Sequence, residues 1–249
     1  ANVWRWDTFE ANITKVMTAN QLIYGMLNGG REFWWLPWFY SNGAELFDKD
    51  YTKCTINSPQ GLETLKFLAD LTKKKVIAPP PETNLQLFLQ GKVALHSAGH
   101  WDVKEITEGV GKKFKFGATF FPKGKTIAVA LGGDYLGIYN KTKYPKEAVK
   151  FLSFLTSSKV LLDYSNRFNY LPPIKASPKY DIRPDIMRVA NLQASTASTK
   201  LTLDRGIPKY GNISPIVNAE YTLSMLGQKS LEEALRSMEE QINRILSEK

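Results

Sequence analysis

The octapeptide Phe33-Trp34-Trp35-Leu36-Pro37-Trp38-Phe39-Tyr40 carries three of the six tryptophans and no charge, and it sets the strongest limit on the fold. Wound as a helix it is apolar on every side, whereas a helix on a domain surface offers an apolar stripe of only about 100° to the core. Some of its rings must then face a groove or a partner, and the competing assignment is that the run is core. Flat aromatic faces suit the C–H faces of a sugar, with nearby polar groups taking its hydroxyls, and they also suit another protein. Groove and core stand as equal alternatives for Trp34 and Trp35; for Trp38 and Phe39 the balance falls toward core.

The segments around this run alternate. Ser58-Pro59 starts a helix with a side-chain cap and proline at the first helical position, and Leu62, Leu65, Leu68 and Leu71 follow on one face. Ser230 and Glu233 make a capping box before the stripe Leu231, Ala234, Leu235, Met238, Ile242 and Ile245. Pro145 opens a third helix, and a fourth is expected from about Val160 to Phe168. Strand-like stretches lie between: Leu22 to Leu27, Val93 to Ser97, Phe114 to Phe121, and Ile127 to Tyr139 interrupted by Gly132-Gly133. Alternation of this kind predicts an α/β fold. The first clear strand comes only at Leu22, after a helical segment from Asp7 to about Asn20, so the chain reads as a fragment that begins in the middle of a domain.

Composition narrows the function classes. The net charge of +9 invites an acidic partner. Lys73-Lys74-Lys75 closes a helical pattern, where cations meet the helix dipole favourably, and Lys112-Lys113 sits in a turn. No nucleic-acid motif accompanies these runs, so they read as solvated surface, and nucleic acid is not an expected partner. No apolar run approaches the roughly 20 residues needed to span a bilayer. The single cysteine, Cys54, cannot form an internal disulfide.

Three glycine turns carry possible contacts. In Gly99-His100-Trp101-Asp102, after a strand and at a helix opening, free backbone N–H groups can meet ligand oxygens. In Gly132-Gly133-Asp134, glycines inside a strand imply a bulge or a close approach, and Asp134 is placed to accept hydroxyl hydrogen bonds or to cap its turn. His96 and His100 are four apart, but metal binding at that spacing needs a continuous helix, and these straddle a strand end and a glycine turn. No metal site and no cofactor is expected. Nucleophile-elbow, phosphate-loop and dinucleotide motifs are absent. A glycoside hydrolase stays open as another class, because its two carboxylates need no local motif.

In order along the chain stand Trp6-Asp7-Thr8-Phe9-Glu10, Tyr24-Gly25, Trp35-x-Pro37 through Asn42-Gly43-Ala44-Glu45, Asn57-Ser58-Pro59-Gln60-Gly61, Phe88-x-x-Gly91-Lys92-Val93-Ala94, Gly99-His100-Trp101, Gly132-Gly133-Asp134, Phe151 to Ser157, and Tyr170-Leu171-Pro172. The series resembles the extracellular solute-binding proteins of ABC importers, maltose-binding type, over essentially the whole chain. That resemblance implies a periplasmic-binding-protein-like (type II) fold of two α/β lobes, with the C-lobe complete and the N-lobe partial. The C-lobe would take residues 1–130 and 185–249, with 131–184 an N-lobe segment and an N-terminal segment of the same protein missing. It implies a binding protein rather than an enzyme, which presents a captured carbohydrate or polyol to the membrane permease subunits. The expected location is extracytoplasmic, in the periplasm or lipid-anchored to the outer face of the cell membrane.

The same resemblance places sugar-stacking rings at Trp34, Trp35 and Trp101, with Trp38, Asn42, Gly99 and His100 in the same two motifs. It sets Gly132, Gly133 and Asp134 near a lobe crossover, and Tyr210 and Asn212 as a further ring and polar contact. Arg167 and Arg205 leave room for a uronic acid or a polyol phosphate in place of a neutral sugar.

Overall fold

The computed structural model describes residues 4–133, 135–196, 198 and 200–248. They fall into two units, one of residues 1–97, 119–131 and 193–249, the other of 98–118 and 132–192. The second unit thus takes in 98–118 and 185–192 besides the stretch expected as a separate segment.

In the first unit two short strands, β1 (Tyr24–Leu27) and β2 (Val93–His96), pair in parallel with Tyr24 opposite Val93 and Leu27 opposite His96. The other edge of β1 meets residues 76–78, where Met26 N–H donates to the Val76 carbonyl and Ala78 N–H to the Met26 carbonyl, both at 2.9 Å. Met26 and Leu27 are buried together, as a parallel strand covered on both faces requires.

Around the sheet lie α1 (Trp6–Asn20), α2 (Glu32–Asn42), α3 (Pro59–Lys73), α4 (Leu85–Leu89), and, late in the chain, α9 (Lys200–Asp204), α10 (Tyr210–Met225) and α11 (Leu231–Ser247). The expected caps are present. Ser58 Oγ accepts from Gly61 N–H at 3.1 Å, and the Ser230–Glu233 box is closed on both sides. Leu65, Leu68 and Leu71 are fully buried, and so are Ala234, Leu235, Met238 and Ile242 of α11.

Helix α2 carries the aromatic run, and it is core almost all round. Trp35 stacks flat on Tyr221 of α10, centroids 4.1 Å apart, and its Nε1 donates to Asn218 Oδ1 at 3.3 Å. Trp38 points elsewhere, edge-on to Phe9 of α1 at 5.5 Å and to Phe121 at 4.9 Å, with Nε1 donating to Asn28 Oδ1 at 3.1 Å. Neighbouring helices cover the run from several directions, so an apolar circumference needs no groove. The helix stops at Gly43, whose φ of 87° is one that glycine adopts without strain.

The second unit holds a 3₁₀ turn (His100–Asp102), α5 (Val103–Val110), α6 (Pro145–Leu155), α7 (Ser158–Phe168) and the start of α8 (Pro184–Thr196). Its core is small: Val103, Ile186 and Met187, with Phe116, Leu171, Tyr180 and Ile182 against it. Arg183 lies 4.4 Å over the Phe116 ring and donates from Nη2 to the Phe116 carbonyl at 2.8 Å. No residue of α6 is buried.

Among the described residues, the strands expected at 114–121 and 127–139 are not formed. Among the described residues the sheet has two strands, and within those two stretches the single bridge joins Ala128 to Ser198. Alternating pattern alone does not make a strand, since the ladder needs a neighbour to accept its hydrogen bonds.

Candidate functional site

In open α/β sheets ligands are taken up beyond the carboxyl ends of the parallel strands, so the turns leaving β1 and β2 decide the candidate site. The two ends share one device. After β1, Gly29 has φ +69°, and a Cβ there would come within 2.2 Å of Trp34 Cδ1. Trp34 is half-buried on that bare backbone, edge-on to Phe33 at 4.9 Å. After β2, a Cβ on Gly99 would come within 2.2 Å of the Trp101 ring, which lies over the glycine and keeps 41% of its surface exposed. Each indole is held against glycine backbone, which costs it little freedom while leaving ring surface to solvent.

The expected contacts divide between the two units. In the first, Trp35, Trp38 and Asn42 are corrected from ligand contacts to core. The two tryptophans have no exposed surface. Asn42 Nδ2 donates to Glu63 Oε2 at 2.9 Å and Thr64 Oγ1 at 3.2 Å, bracing α2 against α3. Tyr210, the first residue of α10, is buried among unit-one groups, and burial raises its pKa well above the usual phenol value. Asn212 is exposed nearby, in the first turn of the same helix.

In the second unit Gly99, His100 and Trp101 come together. The Gly99 N–H is not open to a ligand as expected, because the Asp102 carboxylate accepts it at 3.0 Å and closes the turn. His100 sits edge-on to Trp101 at 5.0 Å and to Tyr170 at 5.1 Å, and its Nδ1 is 3.2 Å from the Asn169 carbonyl. A carbonyl only accepts, so Nδ1 carries the proton and Nε2 is left as an acceptor. Burial holds the His100 pKa below its ordinary value, which keeps this ring neutral.

Tyr164, 5.3 Å from Tyr170 and 4.8 Å from Phe168, extends the aromatic series. Sequence reasoning missed these rings, although the i, i+4 spacing of Tyr164 and Phe168 at the end of an expected helix was a usable signal. Gly132 and Gly133 are exposed, and a Cβ on Gly133 would meet nothing within 4 Å, so crowding by a nearby group does not account for that glycine. Asp134 lies outside the described residues.

Among the described residues no group of three or more His, Cys, Asp or Glu could hold a metal ion. His96 is instead a half-buried neutral ring. Its Nδ1 has no hydrogen-bond partner, and desolvation takes its pKa down to about 4. A histidine whose folded pKa is depressed contributes stability above its unfolded pKa, and this is lost as pH falls from about 6.5 toward 4. Urea unfolding at pH 7 and pH 4 should therefore show a loss of up to about 3 kcal/mol from this ring. His96→Leu should be the less pH-sensitive protein by that amount; equal pH dependence in the two would remove the assignment.

The family model for bacterial extracellular solute-binding proteins matches residues 1–188. An ABC transporter solute-binding protein from Thermotoga lettingae, solved with α-D-tagatose, superimposes with a TM-score of 0.76 at 25% identity, over 99% of this chain and 66% of its own. An ABC substrate-binding protein from Listeria monocytogenes, solved with cycloalternan, gives a TM-score of 0.81 at 21% identity over 99% of this chain and 65% of its own. Maltose-bound MalE3 of T. maritima gives 0.77 at 21% identity over 97% and 65%. The chain thus spans about two thirds of the length of these solved relatives.

Proposed function

The chain belongs to the family of bacterial extracellular solute-binding proteins, and from that premise we propose that it is the substrate-binding part of an ABC importer that captures a sugar or oligosaccharide between two lobes. The observation that carries the reading is the pair of strand-end glycines, each with a tryptophan laid over it, the second beside a neutral histidine with an acceptor nitrogen. Stacking rings with hydroxyl acceptors at their edge are what a sugar needs, and nothing in that pairing activates water or a nucleophile. The solved relatives bound to tagatose, cycloalternan and maltose support a carbohydrate over other solutes.

Its partners would be the permease subunits and a further lobe segment such as the third of the relatives' length that this chain does not span. Such a segment would pack on α6, where Phe151 and Phe154 are more than half exposed. The location that goes with this reading is extracytoplasmic, in the periplasm or lipid-anchored to the outer face of the cell membrane; no helix of the described residues is long and apolar enough to cross a membrane. Prolonged incubation with maltotriose and larger oligosaccharides, followed by chromatography of the sugars, tests the reading against a hydrolase. The sugars should be recovered intact; accumulating shorter products would overturn it.

A further inference from the structure

Asn169 ends α7 at φ +57°, a left-handed backbone that glycine adopts most readily and asparagine tolerates. Its side chain is 1% exposed, and Nδ2 donates at 2.5 Å to the carbonyl of Ile182, thirteen positions on. The Oδ1 is left without a partner, which costs stability and which a glycine at this φ would avoid. Asparagine therefore earns its place by the bond to Ile182. Ile182 packs against Val103, Ile186 and Met187, and Val103 directly follows the turn His100–Asp102. One small core thus anchors both Asn169 and His100.

Across that anchor the Asn169 carbonyl meets His100 Nδ1 at 3.2 Å. The edge-on contacts of His100 with Trp101 and with Tyr170, the residue after Asn169, set the plane of the imidazole but not which nitrogen carries its proton. The carbonyl sets that, because it can only accept. Without this bond the proton is shared between the two nitrogens, and Nε2 is a donor for part of the time. Among the described residues Nε2 has no hydrogen-bond partner, and unlike His96 Nδ1 it is not sealed from solvent.

We propose that Asn169 is a positioning residue for sugar capture in the second unit, holding His100 in the one tautomer whose Nε2 accepts a hydroxyl of the sugar stacked on Trp101; this rests on the proposed sugar-binding function. Trp101 supplies the apolar face and His100 the polar edge, with ring centroids 5.0 Å apart, so one sugar ring meets both. The chemistry read at that edge is donation. A hydroxyl satisfies Nε2, whereas an ether or carbonyl oxygen at the same place does not.

NMR of the ring nitrogens at neutral pH, with His100→Phe to separate the His100 signals from those of His96, reads the tautomer directly. The wild-type ring should carry its proton on Nδ1, and Asn169→Ala should return it to a mixture. Asn169→Gly keeps the left-handed backbone and loses only the bond to Ile182, so it should fall between the two. Tryptophan-fluorescence titration of this chain with maltose, maltotriose and D-galactose should show Asn169→Ala binding about three- to tenfold more weakly, the worth of one neutral hydrogen bond. Because Asn169 acts through His100, the same substitution in the His100→Phe protein should cost nothing further. The wild-type tautomer needs no variant, so it decides the matter if Asn169→Ala does not fold. A wild-type proton on Nε2, an unchanged tautomer in Asn169→Ala, or losses that add in the double variant would overturn the positioning role while leaving sugar binding standing. Saturation by none of the three sugars, with the proton on Nδ1, is the separate result that brings down sugar binding itself, and this role with it.

Discussion

Replacing Trp38 by alanine is expected to destabilise the first unit by about 3–5 kcal/mol, as truncation of a fully buried large aromatic does. Trp38 has no exposed surface and joins rings from three parts of the chain, with Trp6 at 5.7 Å, Phe9 at 5.5 Å, Phe67 at 5.9 Å and Phe121 at 4.9 Å. Those neighbours belong to α1, α3 and a loop, and they cannot all collapse inward to fill the space. Against a total stability of about 5–15 kcal/mol, such a loss leaves much of the protein unfolded at 37 °C. Trp38→Phe isolates the polar part of the effect. It keeps a ring but removes the donor to Asn28 Oδ1, and should cost less than half as much. Urea unfolding of the three proteins checks this. A Trp38→Ala protein within 1 kcal/mol of wild type would show that the aromatic helix is not a core element.

Trp101→Ala is expected to behave in the opposite sense. Its ring lies over Gly99 and keeps 41% of its surface exposed, so its removal should cost about 1–2 kcal/mol of stability, well below the Trp38 loss. Affinity for the bound sugar should fall tenfold or more, about 1.4 kcal/mol of binding free energy, which is within the worth of one stacked ring. Gly99→Ala gives an independent route to the same result. A Cβ at that position would meet the indole at 2.2 Å and must displace it, with the ring's own chemistry untouched. Titration calorimetry beside thermal unfolding separates the two effects. Unchanged affinity with a loss of several kcal/mol in stability would make Trp101 a core residue, not a stacking platform.

The contrast between these tryptophans shows what the sequence could and could not convey. Capped helices were legible because their signals are local: Ser58-Pro59 and the Ser230–Glu233 box fix helix starts by bonds three residues apart. Strands β1 and β2 were legible for a similar reason, as short apolar runs ended by glycine. The orientation of the aromatic run was not. Whether Trp35 faces a sugar or Tyr221 depends on where α10 lies, nearly two hundred residues on, and no local period reports that.

Among the described residues the stretches at 114–121 and 127–139 carry strand-like patterns with no ladder beyond the single Ala128–Ser198 bridge, and pairing is a property of the neighbour as much as of the segment. The glycines divide in the same way. Gly29 and Gly99 are explained by an indole resting on them, but Gly133 faces open space, and the sequence presents all three alike. Arg205 stood out in the sequence as a possible ligand group, whereas its ion pair with Glu32, 173 positions earlier, is a tertiary fact.

Thermal unfolding of the chain across a panel of neutral sugars, sugar acids, polyol phosphates, amino acids and short peptides tests sugar capture most directly. A ligand at 100 times its dissociation constant adds about 2.7 kcal/mol to stability. For a chain of this size that corresponds to a rise in midpoint of roughly 5–10 °C. Sugar capture predicts such a rise with at least one neutral mono- or oligosaccharide, absent from the amino acids and peptides and abolished in Trp101→Ala. A panel in which no carbohydrate moves the midpoint while a peptide or amino acid does would contradict it.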